Sequence, residues 1–242
     1  MFKSKVPIAK KNKEEGEKPF WISFSDLMTA LMVLFLLVMS VALLAITTDV
    51  SEADQQKIKR EEKIKIFESD IDNVINQFNI QNPDLKTKIK RRDNSIDLGT
   101  IATFEERSNE LNRDQSQKLR IFVKKLIPII NEKNSTEILK DIQVIGFTNK
   151  NGDYLYNLNL SLQRSHRLVC VLLQDQITQE KIFDMKELNL IKDYFLVSGY
   201  AFNNSTKSAE DDRRIELRMN YIPIGEEKSK GMSLTNFGVC HI

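Results

Sequence analysis

The longest apolar run of the chain holds one carboxylate. The run, FWISFSDLMTALMVLFLLVMSVALLAI from Phe20 to Ile46, has no Gly or Pro and a single charge, Asp26. A carboxylate surrounded by hydrocarbon is suited above all to taking up a cation, most simply a proton, and giving it back. An ionised side chain near the middle of an isolated spanning helix costs about 2.5–3.5 kcal/mol. Asp26 lies about 9 Å into the run at 1.5 Å per residue, so its cost is somewhat smaller. Ser23, Asp26 and Thr29 fall at i, i+3 and i+6, with Ser25 and Ala30 beside them, and a helix gathers such positions near one face. Two readings follow. Either the stripe carries an ion against a protein partner or a water-filled path, or Asp26 marks a wet helix start capped by Ser23 or Ser25. Phe20, Trp21, Ile22 and Phe24 already read as membrane-embedded before it, which favours the first.

The element that must position Asp26 is a membrane-spanning helix. Twenty-seven residues make a helix of about 40 Å, against a hydrocarbon core of about 30 Å. A core helix of a soluble domain rarely stays apolar around its whole circumference for so long. A cleaved signal segment is shorter and ends at small residues, whereas TTDVSEAD follows here. The flanks set orientation: Lys3, Lys5, Lys10, Lys11, Lys13 and Lys18 precede the span, and Asp49, Glu52 and Asp54 follow it. The positive-inside bias places residues 1–19 in the cytoplasm and the long C-terminal part outside, in the periplasm of a Gram-negative cell. Trp21 sits at the interface.

The rest of the chain is polar. Lys plus Arg number 36 and Asp plus Glu 34, a balance that argues against a protein built to coat nucleic acid. Two Cys and two His, scattered at Cys170, Cys240, His166 and His241, do not supply a closed four-ligand zinc cage, and no metal site is expected. Whether Cys170 and Cys240 pair is open, since a buried free Cys170 reads equally well. No phosphate-cradling glycine loop and no Ser/His/Asp or Cys/His arrangement is present, so no enzymatic activity and no cofactor are expected.

Residues 47–80 read as a charged helical linker. Ile64, Phe67, Ile71, Val74 and Phe78 repeat at 3-4-3-4, a two-heptad seam that serves either a dimer or the helix's own domain. Gln81-Asn-Pro-Asp84 breaks it. From about residue 86 to 222 strands and helices alternate: a strand or hairpin edge over Ile89–Leu98, a helix over Asp114–Glu132 kinked by Pro128, a strand over Asp141–Phe147, a helix over Leu158–Gln174, and strands over Asp193–Gly199 and Arg214–Tyr221. The order predicts an α+β fold, a mixed sheet with helices on one side. Residues 223–242 form a tail that fits no element.

Two resemblances attach to these residues. Trp21-Ile-Ser-Phe-Ser-Asp26-Leu-Met-Thr-Ala-Leu-Met32 resembles the transmembrane motif of MotB-type stator subunits, and the FWISFSDLMT version is closest in look to the B subunits of Zorya anti-phage defence systems. The resemblance implies that Asp26 binds the translocated ion, H⁺. It also implies that two copies pair inside a five-membered ring of a multi-span MotA/ZorA-like A subunit. A flagellar stator is the alternative motor, and a passive wall anchor without ion flow the alternative of another class. The second resemblance, over most of residues 86–222, is to the OmpA-like peptidoglycan-binding domain. Gly146-Phe-Thr-Asn149 stands for its Gly-His-Thr-Asp, Asn157-Leu-Asn-Leu160-Ser161-Leu-Gln-Arg164 matches Asn-x-x-Leu-Ser-x-x-Arg, and Asp212-Arg213-Arg214-Ile215-Glu216 matches Asn-Arg-Arg-Val-Glu with one change. It implies peptidoglycan binding through Thr148, Asn149, Tyr156, Asn157, Leu160, Arg164 and Arg213. Asn149 meets the ligand ammonium in place of the family's Asp, and Arg164 meets the carboxylate. Phe147 for His and Asn149 for Asp predict weaker binding of the stem peptide.

Overall fold

The computed structural model describes residues 18–92, 94–174, 182–203, 212–226, 228 and 231–240. The chain divides into two compact units, Met1–Lys57 and Ile58–Ile242. The first helix, α1, is Lys18–Gln81. In the first unit it carries a segment, Trp21–Thr47, long and apolar enough to cross a membrane. Every side chain from residue 21 to 47 is exposed, as a surface meant for lipid or for other subunits must be.

The second unit is a five-stranded sheet covered by helices. Its strands are β1 (Lys90–Arg92), β2 (Ser95–Asp97), β3 (Leu139–Gly146), β4 (Phe195–Gly199) and β5 (Ile215–Tyr221), in the order β1-β2-β5-β3-β4. Only β3 and β4 run parallel; the other neighbours are antiparallel, so the sheet is mixed. The alternation of β5 explains its layering. Ile215, Leu217 and Met219 are buried with Ile142 and Val144, while Arg218 faces Gln143 and Asn220 faces Asp141 across the ladder on the other side. The apolar face packs against α2 (Arg113–Ile130), α4 (Tyr154–Leu173) and α5 (Met185–Tyr194), with the six-residue α3 (Lys133–Ile138) leading into β3.

The seam of α1 belongs to this domain. Phe67, Ile71, Ile75 and Phe78 are buried in its core, and the Phe78 ring meets Phe122 of α2 edge-on at 5.2 Å. Arg60 donates to the Ile222 carbonyl at 2.7 Å, and Arg91 of β1 pairs with Glu68 and Asp72 at 3.0 and 2.9 Å. A domain boundary at residue 86 is therefore corrected: the folded unit takes in α1 from Ile58 onward. Helix α5 is an addition to the predicted elements. Its signal stands in the sequence as a capping box, Asp184 accepting from the Glu187 N–H at 2.9 Å and Glu187 accepting from the Asp184 N–H at 2.8 Å. Helix α2 starts with a second such box, Asn112 and Gln115.

Candidate functional site

Along the span, α1 disposes Ser23, Asp26 and Thr29 within an arc of roughly 120°. Three hydroxyls of this segment are satisfied by their own helix. Thr29 Oγ1 donates to the carbonyls of Ser25 and Asp26 at 3.0 and 2.9 Å, Ser40 to Leu36 at 2.7 Å and Thr47 to Leu44 at 2.9 Å. Back-bonding of this kind lets a hydroxyl lie in hydrocarbon without a partner from outside. The Asp26 carboxylate has no such outlet: among the described residues it accepts no hydrogen bond and pairs with no cation.

In the domain, the second candidate site gathers where β3 ends against α4. Strand and helix approach so closely that a Cβ on Gly146 would stand 2.1 Å from the Ser161 carbonyl oxygen, which accounts for the glycine ahead of Phe147-Thr148-Asn149. The loop that follows is closed by Asn157, whose Nδ2 donates to the carbonyls of Asn151 and Asp153 at 3.0 and 3.1 Å, while Asn149 Oδ1 accepts the Asn151 N–H at 3.4 Å.

Arg164 is held by backbone carbonyls. Its side chain is only 1% exposed. Nε donates to Ser108 O at 2.9 Å, Nη1 to Phe147 O at 2.9 Å and Nη2 to Glu105 O at 3.1 Å, and the guanidinium lies 5.1 Å from the Phe104 ring. Burial, and then the neighbouring Arg213 charge, lowers its pKa to about 10, so it stays charged at neutral pH. Arg164 is thus a tie between the 105–108 turn and the end of β3, with three of its five N–H groups engaged by backbone. What it can offer a ligand carboxylate is the two N–H groups that remain. Thr148, Asn149, Asn157 and Leu160 are buried too, and Arg213, half-buried, donates to Phe104 O at 2.8 Å. Of the expected ligand residues only Tyr156, 46% exposed, faces solvent freely. The Thr148 hydroxyl is buried with no hydrogen-bond partner among the described residues.

Phe147 has a packing reason of its own. The Arg214 guanidinium lies 4.4 Å from its ring and Tyr200 stacks at 5.8 Å on a tilt. Arg214 in turn reaches Glu216 Oε1 through Nε and Nη2, both at 2.9 Å, and Asp212 at 3.8 Å. Buried Asp97 belongs to the same group of charges. Desolvation raises its pKa, opposed by the Gly99 N–H it accepts and by Arg92 and Arg214. Sequence reasoning missed this cluster, although Asp212-Arg213-Arg214-Ile215-Glu216 already placed two acids and two arginines together. It also left open the pairing that the structure makes, a Cys170–Cys240 disulfide with Cα atoms 5.9 Å apart. His241 lies outside the described residues.

Comparison with known proteins bears on both regions. A family model described as membrane MotB of the proton-channel complex MotA/MotB matches residues 5–60. Zorya protein ZorB of Escherichia coli O139:H28 (strain E24377A / ETEC) is 34% identical over 230 residues, covering 95% of this chain and 92% of that one. Among solved structures, a putative MotB-like protein from Desulfovibrio vulgaris aligns over 67% of this chain and 99% of its own, with 15% identity and a TM-score of 0.43. The periplasmic domain of Helicobacter pylori MotB aligns over 56% of this chain and 82% of its own, with 18% identity and a TM-score of 0.38.

Proposed function

This chain belongs to the ZorB family of MotB-type stator subunits, and on that basis we propose that it is the stationary, wall-anchored core of a proton-driven rotary motor of the inner membrane, working in anti-phage defence. Its N-terminus lies in the cytoplasm and the unit from Ile58 onward in the periplasm. Two copies stand inside a five-membered ring of a multi-span A subunit. Asp26 of each takes up a proton arriving from the periplasm and releases it inward, and the ring turns around the pair. A potential of 100 mV supplies about 2.3 kcal/mol per proton, so the carboxylate must bind and release without a deep trap. The chain itself performs no bond-making chemistry.

What carries this reading is the Asp26 carboxylate, unmatched among the described residues, in an apolar span whose Thr29, Ser40 and Thr47 hydroxyls bond their own backbone. In hydrocarbon such a group needs a partner from another chain or a water path. The test is Asp26→Asn, which keeps the shape and removes the titration. The variant should still co-purify with the A subunit while protecting cells from phage no better than an empty vector. Protection at the wild-type level would overturn the motor.

Peptidoglycan is the proposed ground against which the ring turns. The reading rests on the match of Asn157 to Arg164 and on the loop 147–153 that Asn157 closes. Arg164 and Asn157 build this site, and Tyr156 on its rim and the nearly buried Asn149 at its floor touch the ligand. Residues 58–242 should sediment with purified peptidoglycan, less so with Tyr156→Ala. Asn149→Asp, which keeps the bond from the Asn151 N–H, should tighten binding several-fold by facing an ammonium with a charge. Sedimentation indifferent to both changes would remove the wall from the proposal.

A further inference from the structure

The fold gathers three of the four Cys and His residues that stand scattered in the sequence. A ring nitrogen of His166 and the Sγ atoms of Cys170 and Cys240 lie within 4.8 Å of one another. His166 and Cys170 are one turn apart on the same face of α4, the spacing at which two side chains of a helix grip one ion. Cys240 comes from the far end of the chain, and more than the disulfide brings it there. Asn189 of α5 donates to Leu234 O at 2.8 Å and accepts the Leu234 N–H at 2.7 Å, and Lys192 donates to Met232 O. Phe237 packs against the core. Cys170 is buried, Cys240 half-buried and His166 exposed, so the group is open to solvent on one side.

We propose that, once reduced, Cys170, Cys240 and His166 form a binding site for a thiophilic divalent cation of the zinc type, with water as the fourth ligand. The pair then has two ways of holding the tail: a sulfur–sulfur bond under oxidising conditions and a metal bridge under reducing ones. A dithiol reductant converts the disulfide to two thiols and is itself oxidised to a disulfide. Zn²⁺ then displaces one proton from each thiol and takes the neutral imidazole as third ligand. Two sulfurs and one nitrogen around an open position suit Zn²⁺ or Co²⁺ better than oxygen-seeking Mg²⁺ or Ca²⁺.

Co²⁺ is the probe, since thiolate ligation gives it an intense near-ultraviolet band and tetrahedral geometry gives strong visible bands. The full chain in detergent is reduced with a phosphine, desalted without air and titrated. One Co²⁺ per chain should bind with both features and be displaced by Zn²⁺, and the unreduced protein should show neither. His166→Ala should weaken binding by at least about tenfold while keeping the thiolate band, and Cys240→Ser should lose tight binding. Absence of the bands in reduced wild-type protein, or bands unchanged by His166→Ala and Cys240→Ser, would overturn the site and leave the cysteines as a disulfide only.

Discussion

The span and the domain treat their charged side chains in opposite ways. In the domain, Arg164 gives three N–H groups to carbonyls, and Arg214 lies between Phe147 and the carboxylate of Glu216. Each spends its hydrogen bonds on the fold. In the span Thr29, Ser40 and Thr47 spend their hydroxyls on helix carbonyls, but the Asp26 carboxylate has no such bond. Motif residues are therefore not equivalent evidence of function. A charge that spends most of its bonding capacity on its own chain builds structure, and one that spends none awaits something else. Thr148 Oγ1 and Lys228 Nζ, buried without hydrogen-bond partners among the described residues, are the domain's exceptions.

Four experiments probe that contrast and the fold around it. The largest effect belongs to the span: Asp26→Asn abolishes phage protection, whereas Thr29→Val, which removes a hydroxyl already satisfied at home, retains most of it. Plaquing efficiency on cells carrying the whole system reads both, and equal loss from the two would erase the distinction. Next comes Arg164→Ala, which strands three backbone acceptors in a buried site and should cost on the order of 4 kcal/mol. Urea unfolding of residues 58–242 measures it. Arg164→Lys should recover only part, because an ammonium cannot span carbonyls arranged around a planar fork. An Arg164→Ala domain as stable as wild type yet unable to pellet with peptidoglycan would make Arg164 a ligand group after all.

Reducing the Cys170–Cys240 bond in metal-free buffer should lower stability by about 3 kcal/mol. That is below the roughly 4 kcal/mol of the chain-entropy model for a 70-residue loop, because the reduced native state is free to release its tail. Unfolding midpoints with and without reductant give the value. The smallest effect tests the exception. Desolvation holds Lys228 at about 8, below its ordinary 10.5. The folded state thus binds fewer protons between those values, and stability rises as pH rises through that window, the penalty being fully present below about 8. Melting temperatures at pH 7.5 and 9.5 should diverge by a small amount in wild type and less in Lys228→Met.

The sequence disclosed what depends on neighbours along the chain. The span is legible because hydropathy is a local property, and β5 because strict alternation over Ile215–Tyr221 leaves little else for it to be. The Asn157–Arg164 spacing correctly placed those residues on one helix, but not what they do there. Spacing says which side chains share a face, and it takes the 105–108 turn arriving from elsewhere to decide that Arg164 is covered. Phe147 reads as a missing histidine until Arg214 is seen against its ring. The heptad seam of α1 is the same lesson at larger scale: periodicity reveals an apolar stripe and is silent about its occupant. Helix α5 is different, because its start is written locally in Asp184 and Glu187, a signal as short-range as the span's own.

Strand order carries a consequence for timing. The hairpin β1-β2 and the parallel pair β3-β4 are joined only by β5, where Leu217 lies between Ile96 and Val144. The chain must extend 69 residues from Gly146 to Ile215 before the sheet closes, roughly 3–14 s at ordinary rates of synthesis. Until then β2 and β3 expose unpaired edges, open to chaperones and to aggregation alike. The Phe147 N–H meanwhile lacks the Arg214 carbonyl it binds at 3.1 Å, so the loop after β3 has no fixed form. The span is made first and the closing strand last. A chain cut short before Ile215 therefore carries Asp26 in its apolar helix with no closed sheet behind it.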